Sequence, residues 1–137
     1  MKNSLYHTRI VTSFLSAEEK YLILKRSDSV KSMKGLWGGI SGIIEGNEEP
    51  LQRAKIEVFE ETGIGEDKIT LAKTANEMQV TSQYSNHGWI IHPFLFTTKE
   101  PQIKLNWENS EYTWISPNEI SKYKAVPSLD KVLARLL

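Results

Sequence analysis

The sequence predicts one mixed α/β domain in which helices cover a sheet. Three observations predict it. Runs rich in β-branched and aromatic residues, separated by polar breaks, lie on both sides of one central stretch. That stretch, from Asn47 to Gly63, has helical periodicity, with apolar residues on one side and carboxylates on the other. The 137 residues are 39% hydrophobic and 25% charged, the balance of a soluble globular chain with a single core. Residues 1–137 are therefore expected to form a single domain, in the order β-β-β-α-β-β-β-α-α.

Leu5 to Leu15 suits a pleated surface through Tyr6, Ile10, Val11, Thr12 and Phe14. Ser16 to Lys20 is a short polar break, and Tyr21 to Leu24 is a second apolar run ending at Lys25-Arg26, so the pair reads as a hairpin. Ser27 to Lys34 reads as a loop. Gly35 to Glu45 carries four glycines, which argues for close backbone approach and against a helix. Asn47 is placed to cap the next helix, with Glu48 and Glu49 in its first turn and Pro50 where a missing N–H is harmless. Leu51, Ala54, Val58 and Phe59 make its apolar side, and Gly63 its end. Lys68 to Gln83 reads as one long strand and Ser82 to Gly88 as a polar turn. Trp89 to Thr98 is the most apolar strand and is expected at the centre, with Pro93 at an irregularity. Ile103 to Asn106 and Glu111 to Ile115 read as two short strands. Ser116-Pro117-Asn118-Glu119 has the pattern of a capping box opening a short helix to about Lys122. An amphipathic helix from Leu129 to Leu137 closes the chain.

Bulk charge narrows the function. Lys plus Arg and Asp plus Glu are 17 each, so no general basic field points to a nucleic acid polymer or an anionic membrane. The acidity of residues 45–61 is a placed feature. Cysteine is absent, which excludes disulfides, thiolate metal sites and cysteine nucleophiles. No run approaches the roughly 18 apolar residues of a membrane span, and MKNSLYHTRIVTSF lacks the apolar run of a signal peptide. The expectation is a soluble cytoplasmic protein.

The chemistry concentrates in one helix. Glu57, Glu60 and Glu61 stand at i, i+3 and i+4, so they share a face and repel one another. A hard divalent cation such as Mg²⁺ or Mn²⁺ offsets that repulsion and takes carboxylate oxygens.

Gly42, Glu48, Glu57, Val58, Glu60, Glu61, Gly63 and Ile64 together resemble the signature of the Nudix hydrolase family, G-x5-E-x7-R-E-U-x-E-E-x-G-U, where U is aliphatic. One position departs: Ile56 stands where the signature has arginine. Trp37-Gly38-Gly39, and Glu111 with Trp114-Ile115-Ser116-Pro117, are similar to the flanks of that family. The resemblance implies an α/β/α sandwich with a mixed central sheet. It also implies Mg²⁺- or Mn²⁺-dependent hydrolysis of a diphosphate joining a nucleoside to another moiety, a small-molecule substrate. By the same resemblance the metal ligands are Glu57, Glu60 and Glu61, with the carbonyl of Ser41 as an extra oxygen. The family's signature arginine holds a glutamate in place, and Arg53, at i−4 from Glu57, is the cation that can take over that duty here. Many relatives take their general base from outside the signature; Glu108 and Glu111 are the candidates, and Glu57 itself is another. Arg26, Lys34 and Arg9 are candidates for phosphate contact. The glycines at 38, 39 and 42 admit backbone to metal and phosphates. Trp37, Tyr84, Trp89 and Trp107 are candidates to stack on a base. The loops 27–34, 82–88 and 99–110 carry substrate choice in no pattern that the sequence alone decodes. Dimers are common in that family, so a homodimer is an open state. The rival from another class is a catalytically inactive nucleotide-binding module on the same fold, which only Ile56 favours.

Overall fold

The computed structural model describes residues 6–81 and 87–137. Tyr84 and most of the polar turn expected at 82–88 lie outside the described residues. Strands β1 (Tyr6–Ala17) and β2 (Lys20–Arg26) form the expected hairpin. Glu18 and Glu19 turn it with positive φ of 52° and 64°, the hand that matches strand twist. The chain continues through β3 (Trp37–Gly38), β4 (Ile40–Ile43), α1 (Pro50–Thr62), a 3₁₀ turn at Glu66–Lys68, β5 (Ile69–Thr74) and β6 (Met78–Thr81). It closes with β7 (His87–Thr98), β8 (Asn109–Ile115), a 3₁₀ helix at Pro117–Lys122 and α2 (Leu129–Leu136).

The sheet is mixed and forked. β1 and β7 run parallel from Tyr6↔His87 to Ser16↔Thr97, and β5 and β6 pair antiparallel along the other side of β7. β1 pairs with β2 only at the hairpin end, at Ser16↔Tyr21 and Ala17↔Lys20. Farther along, β4 replaces β2 beside β1, from Ser13↔Ile40 to Ile10↔Ile43. β2 meanwhile pairs with β8 and, at Leu24↔Gly38 and Lys25↔Trp37, with β3. Residues 37–43 thus cross from one branch of the fork to the other at Gly39. A Cβ at Gly39 would stand 2.9 Å from the Ser13 carbonyl oxygen, so the crossing requires glycine.

Side-chain alternation along β1 sends Val11 and Leu15 to one face and Phe14 to the other. On the first face Ala54 and Val58 of α1 pack against Leu15, Leu22, Leu24, Ile40 and Phe96. On the second, Leu129, Val132, Leu133 and Leu136 of α2 pack against Phe14, Ile23, Ile91, Leu95 and Ile115. Each of these α2 side chains is fully buried, at about 1.5–3 kcal/mol apiece. The result is the expected α/β/α layering around a mixed sheet.

Several elements differ from expectation. α1 begins at Pro50, not around Glu48, and Asn47 does not cap it. Proline holds the preceding Glu49 in extended backbone (φ −74°, ψ 131°), which fixes the start. Phe59 is 58% exposed, so it is no part of the buried stripe. The long strand expected from Lys68 is two strands interrupted at 75–77. That interruption lies opposite His92 and Pro93, which have no ladder partner on that side, so the missing proline N–H is accommodated there. Ile103 to Asn106 is not a strand: the segment packs Ile103 and Leu105 on the α1 side, and Lys104 N–H donates to the Thr62 carbonyl. The capping box forms a 3₁₀ helix, with Ser116 N–H donating to the Glu119 carboxylate at 2.8 Å.

Candidate active site

The fork opens a cavity of about 730 Å³. Helix α1 borders it, and Glu57, Glu60 and Glu61 all line it. Their surroundings differ more than their spacing suggests. Glu60 is exposed, whereas Glu57 is 8% and Glu61 3% exposed. Gly42 is what lets Glu57 reach the cavity past β4: a Cβ there would lie 2.2 Å from the Glu57 carboxyl carbon. The signature glycine is therefore a notch for a carboxylate as well as a strand residue.

Arg53 joins the corner together. It donates to Glu57 Oε2 at 3.1 Å, and through Nε to Glu48 Oε1 at 3.0 Å with a second bond to Glu48 Oε2. Glu48 in turn accepts the N–H of Glu45 at 2.8 Å, tying the loop to the helix. These bonds hold the Glu48 carboxyl below its ordinary pKa and the Arg53 guanidinium above its own, with the Arg53–Glu48 pair the larger cause in each case. Arg53 thus brings a cation to Glu57 from one helical turn before it. Ile56 itself lines a separate shallow depression with Gln52, Lys55 and Phe59.

Burial works against the other two carboxylates. It raises Glu57 despite the hydrogen bond from Arg53, and raises Glu61 well above the carboxylate range. Burial is the largest cause at Glu61, and the neighbouring Glu57 and Glu108 carboxylates push it in the same direction. Asn109, at the start of β8, donates to Glu61 Oε1 at 3.3 Å; Glu61 Oε2 is buried with no partner among the described residues. Glu108 completes the group: Glu57, Glu61 and Glu108 bring carboxylate oxygens within 4.8 Å of one another. Glu108 accepts a hydrogen bond from Asn106 Nδ2 at 3.0 Å, on a turn whose backbone also bonds Ser27.

Of the other candidates, Arg26, Gly39 and Ser41 line the cavity. Arg26 donates twice to the Ser32 carbonyl, at 3.1 and 3.0 Å, so its guanidinium is largely engaged. Ser41 pairs with Thr12 across β4 and β1, their hydroxyls 3.2 Å apart. Three candidates stand elsewhere. Glu111 is exposed and bonds Lys25 at 3.3 Å, on the far side of a register irregularity from buried Asn109. Lys34 is exposed and outside the cavity lining. Trp37 packs edge-on against Tyr123, ring centroids 5.2 Å apart. Sequence reasoning missed Asn106 and Asn109, which orient Glu108 and Glu61. The Asn-Trp-Glu-Asn run was a turn signal that could have found them.

The lining therefore carries Glu45, Glu57, Glu60, Glu61 and Glu108 against Arg26 and Arg53, both of which already bond protein oxygens. Among the described residues, no free cation of the lining meets a phosphate there. A hard divalent cation fits this donor set: three clustered carboxylates, one with an oxygen that no other described residue satisfies.

A sequence profile for the NUDIX domain matches residues 6–136. A search of curated proteins finds no match. Among solved structures, the chain is similar to the MutT protein from Methanosarcina mazei Go1, with 21% identity, 98% of this chain and 95% of that one covered, and a TM-score of 0.76. A NUDIX hydrolase from Nitrosomonas europaea is similar at 18% identity, with 93% and 86% covered and a TM-score of 0.76. A C. elegans Ap4A hydrolase, in a binary complex, is similar at 15% identity, with 96% and 94% covered and a TM-score of 0.73. At these identities the likeness carries the fold.

Proposed function

The chain belongs to the NUDIX family, a family of pyrophosphohydrolases, and from that premise we propose that it uses Mg²⁺ or Mn²⁺ to hydrolyse the phosphoanhydride linkage of a small nucleoside-diphosphate-linked molecule. The observation that carries this reading is the convergence of the Glu57, Glu61 and Glu108 carboxylates, with Glu61 Oε2 buried and unpartnered among the described residues. When bound, a divalent cation cancels charge on the oxygens that shield phosphorus and makes water a better nucleophile.

The chain's own residues do the rest. Glu57, Glu61 and Glu108, with Glu60 at the exposed side and the Ser41 carbonyl near the notch, are the oxygens that would hold the ion. Arg53 keeps Glu57 oriented and favours its ionised form. Glu108 is better situated than Glu111 to accept a proton from water, since it is half-buried at the cavity and Asn106 fixes its carboxylate. Asn109 holds Glu61. Gly39 admits the close crossing of the chain past Ser13, and Gly42 leaves the space that the Glu57 carboxylate occupies.

The test is a panel of nucleotide sugars, dinucleoside polyphosphates and nucleoside triphosphates, with and without Mg²⁺. The expected result is Mg²⁺-dependent release of a monophosphate from at least one member, reduced at least about 100-fold by Glu61→Gln and reduced also by Glu60→Gln. Tight binding of one member with turnover of none would replace this reading by the inactive binding module.

A further inference from the structure

We infer that Trp107 is the platform on which a planar base of the substrate stacks, beside the carboxylate cluster; the inference rests on the hydrolase reading and deepens it. The aromatic side chains near the cavity differ in what they have free. Trp89 also lines the cavity, but it stands edge-on to His87, ring centroids 4.9 Å apart, and packs with Trp37 against the core on the α2 side. Trp107 is 66% exposed, yet it lines the same cavity as Glu57, Glu61 and Glu108.

One exposed apolar side chain is ordinary. What distinguishes Trp107 is how firmly its backbone is held. Its carbonyl accepts the Ser27 hydroxyl at 2.7 Å, and the carbonyl of Glu108 accepts the Ser27 N–H at 2.8 Å. Asn106 closes the same turn on Glu108 through both ends of its amide, each at 3.0 Å. A platform fixed in advance gives up little freedom on binding, and an indole face is a large apolar surface for a ring. Met33, from the loop between β2 and β3, also lines the cavity.

The choice of a base over a sugar follows from the polar groups. A sugar needs free donors and acceptors for its hydroxyls. Around Trp107, the Ser27, Asn106 and Arg26 side chains are already bonded within the protein. Stacking, by contrast, needs only a π face.

Titration calorimetry with Mg²⁺ tests this, using AMP, GMP, CMP and UMP against ribose 5-phosphate and glucose 1-phosphate. The wild-type protein should bind at least one nucleoside monophosphate about ten-fold more tightly than ribose 5-phosphate, within the range one base–aromatic stack supplies. Trp107→Ala and Trp107→Leu should remove that advantage, Trp107→Phe should keep most of it, and ribose 5-phosphate affinity should not move. The inference is overturned if no monophosphate surpasses ribose 5-phosphate, if Trp107→Leu keeps the advantage, or if glucose 1-phosphate is the ligand whose binding the variants lose. Because this readout is binding, it stands apart from turnover. Base-dependent binding without hydrolysis removes the hydrolase reading alone, and hydrolysis with unaltered base affinity in the variants removes the stacking alone.

Discussion

Replacing Arg53 with methionine removes a charge while keeping an apolar stem of similar reach. The arginine makes one hydrogen bond to buried Glu57 and two to the more open Glu48. A hydrogen bond to a buried charged group is worth about 1.5–3 kcal/mol. The Glu48 pair is open to water, which resolvates it, so it adds little. Glu57 can relieve its loss by taking up a proton, which puts the total at the low end, about 1.5–2 kcal/mol. For a chain of this length that lowers the melting temperature by about 5–7 °C. The functional cost is separate: Glu57 stays protonated to higher pH, so Mg²⁺ affinity should fall and the acid limb of the kcat/KM profile should move to higher pH. Arg53→Lys should recover part of each. Thermal melts, metal titrations and pH–rate profiles of the two variants measure these effects. Unchanged melting, metal affinity and turnover in Arg53→Met would refute the argument that Arg53 stands in for the cation absent at Ile56.

Gly42→Ala should push the Glu57 carboxylate from its notch, because the new Cβ has no room, and turnover should fall at least about 100-fold; activity close to wild type would show that Glu57 works from another position. Glu108→Gln should lower kcat strongly, whereas Glu111→Gln should leave it within about two-fold, since Glu111 faces solvent and Lys25; the reverse order would move the base to β8. The pH dependence of stability has a definite sign. Glu57 and Glu61 have raised pKa values in the folded state, so without metal the folded form binds more protons than the unfolded one. Their contribution is fully present below the ordinary carboxylate pKa and is lost as pH rises through the raised values. In EDTA the melting temperature should therefore decline over that window, Glu61→Gln should flatten the decline, and Mg²⁺, which displaces the proton, should reverse it. A wild-type profile that matches Glu61→Gln would contradict the assignment.

The parts of the fold legible in the sequence are those set by local chemistry. Hairpin residues 18–19, the α1 glutamate spacing, Gly63 at the helix end and the Ser116–Glu119 box are decided within a few residues, and they appear as expected. The misses come from partners distant in the chain. Nothing near Ala75 says that the strand must break opposite Pro93 of β7. Nothing near Ile103 says that the next residue, Lys104, will bond the Thr62 carbonyl rather than a strand. Helical spacing made Glu57, Glu60 and Glu61 look equivalent; only the position of β4 makes two of them buried and one open. Where Glu108 and Glu111 stand depends on the end of β8, where the turn brings Glu108 to the cavity and an irregular register leaves Glu111 exposed. Arg53 was legible because its partner lies one helical turn away.

The most direct measurement is a manganese anomalous difference map from crystals soaked in Mn²⁺. The account predicts a peak among the carboxylates of Glu57, Glu61 and Glu108, lost in Glu61→Gln. Those carboxylates turned apart around solvent, or still sharing a proton with the ion bound somewhere else, would contradict it.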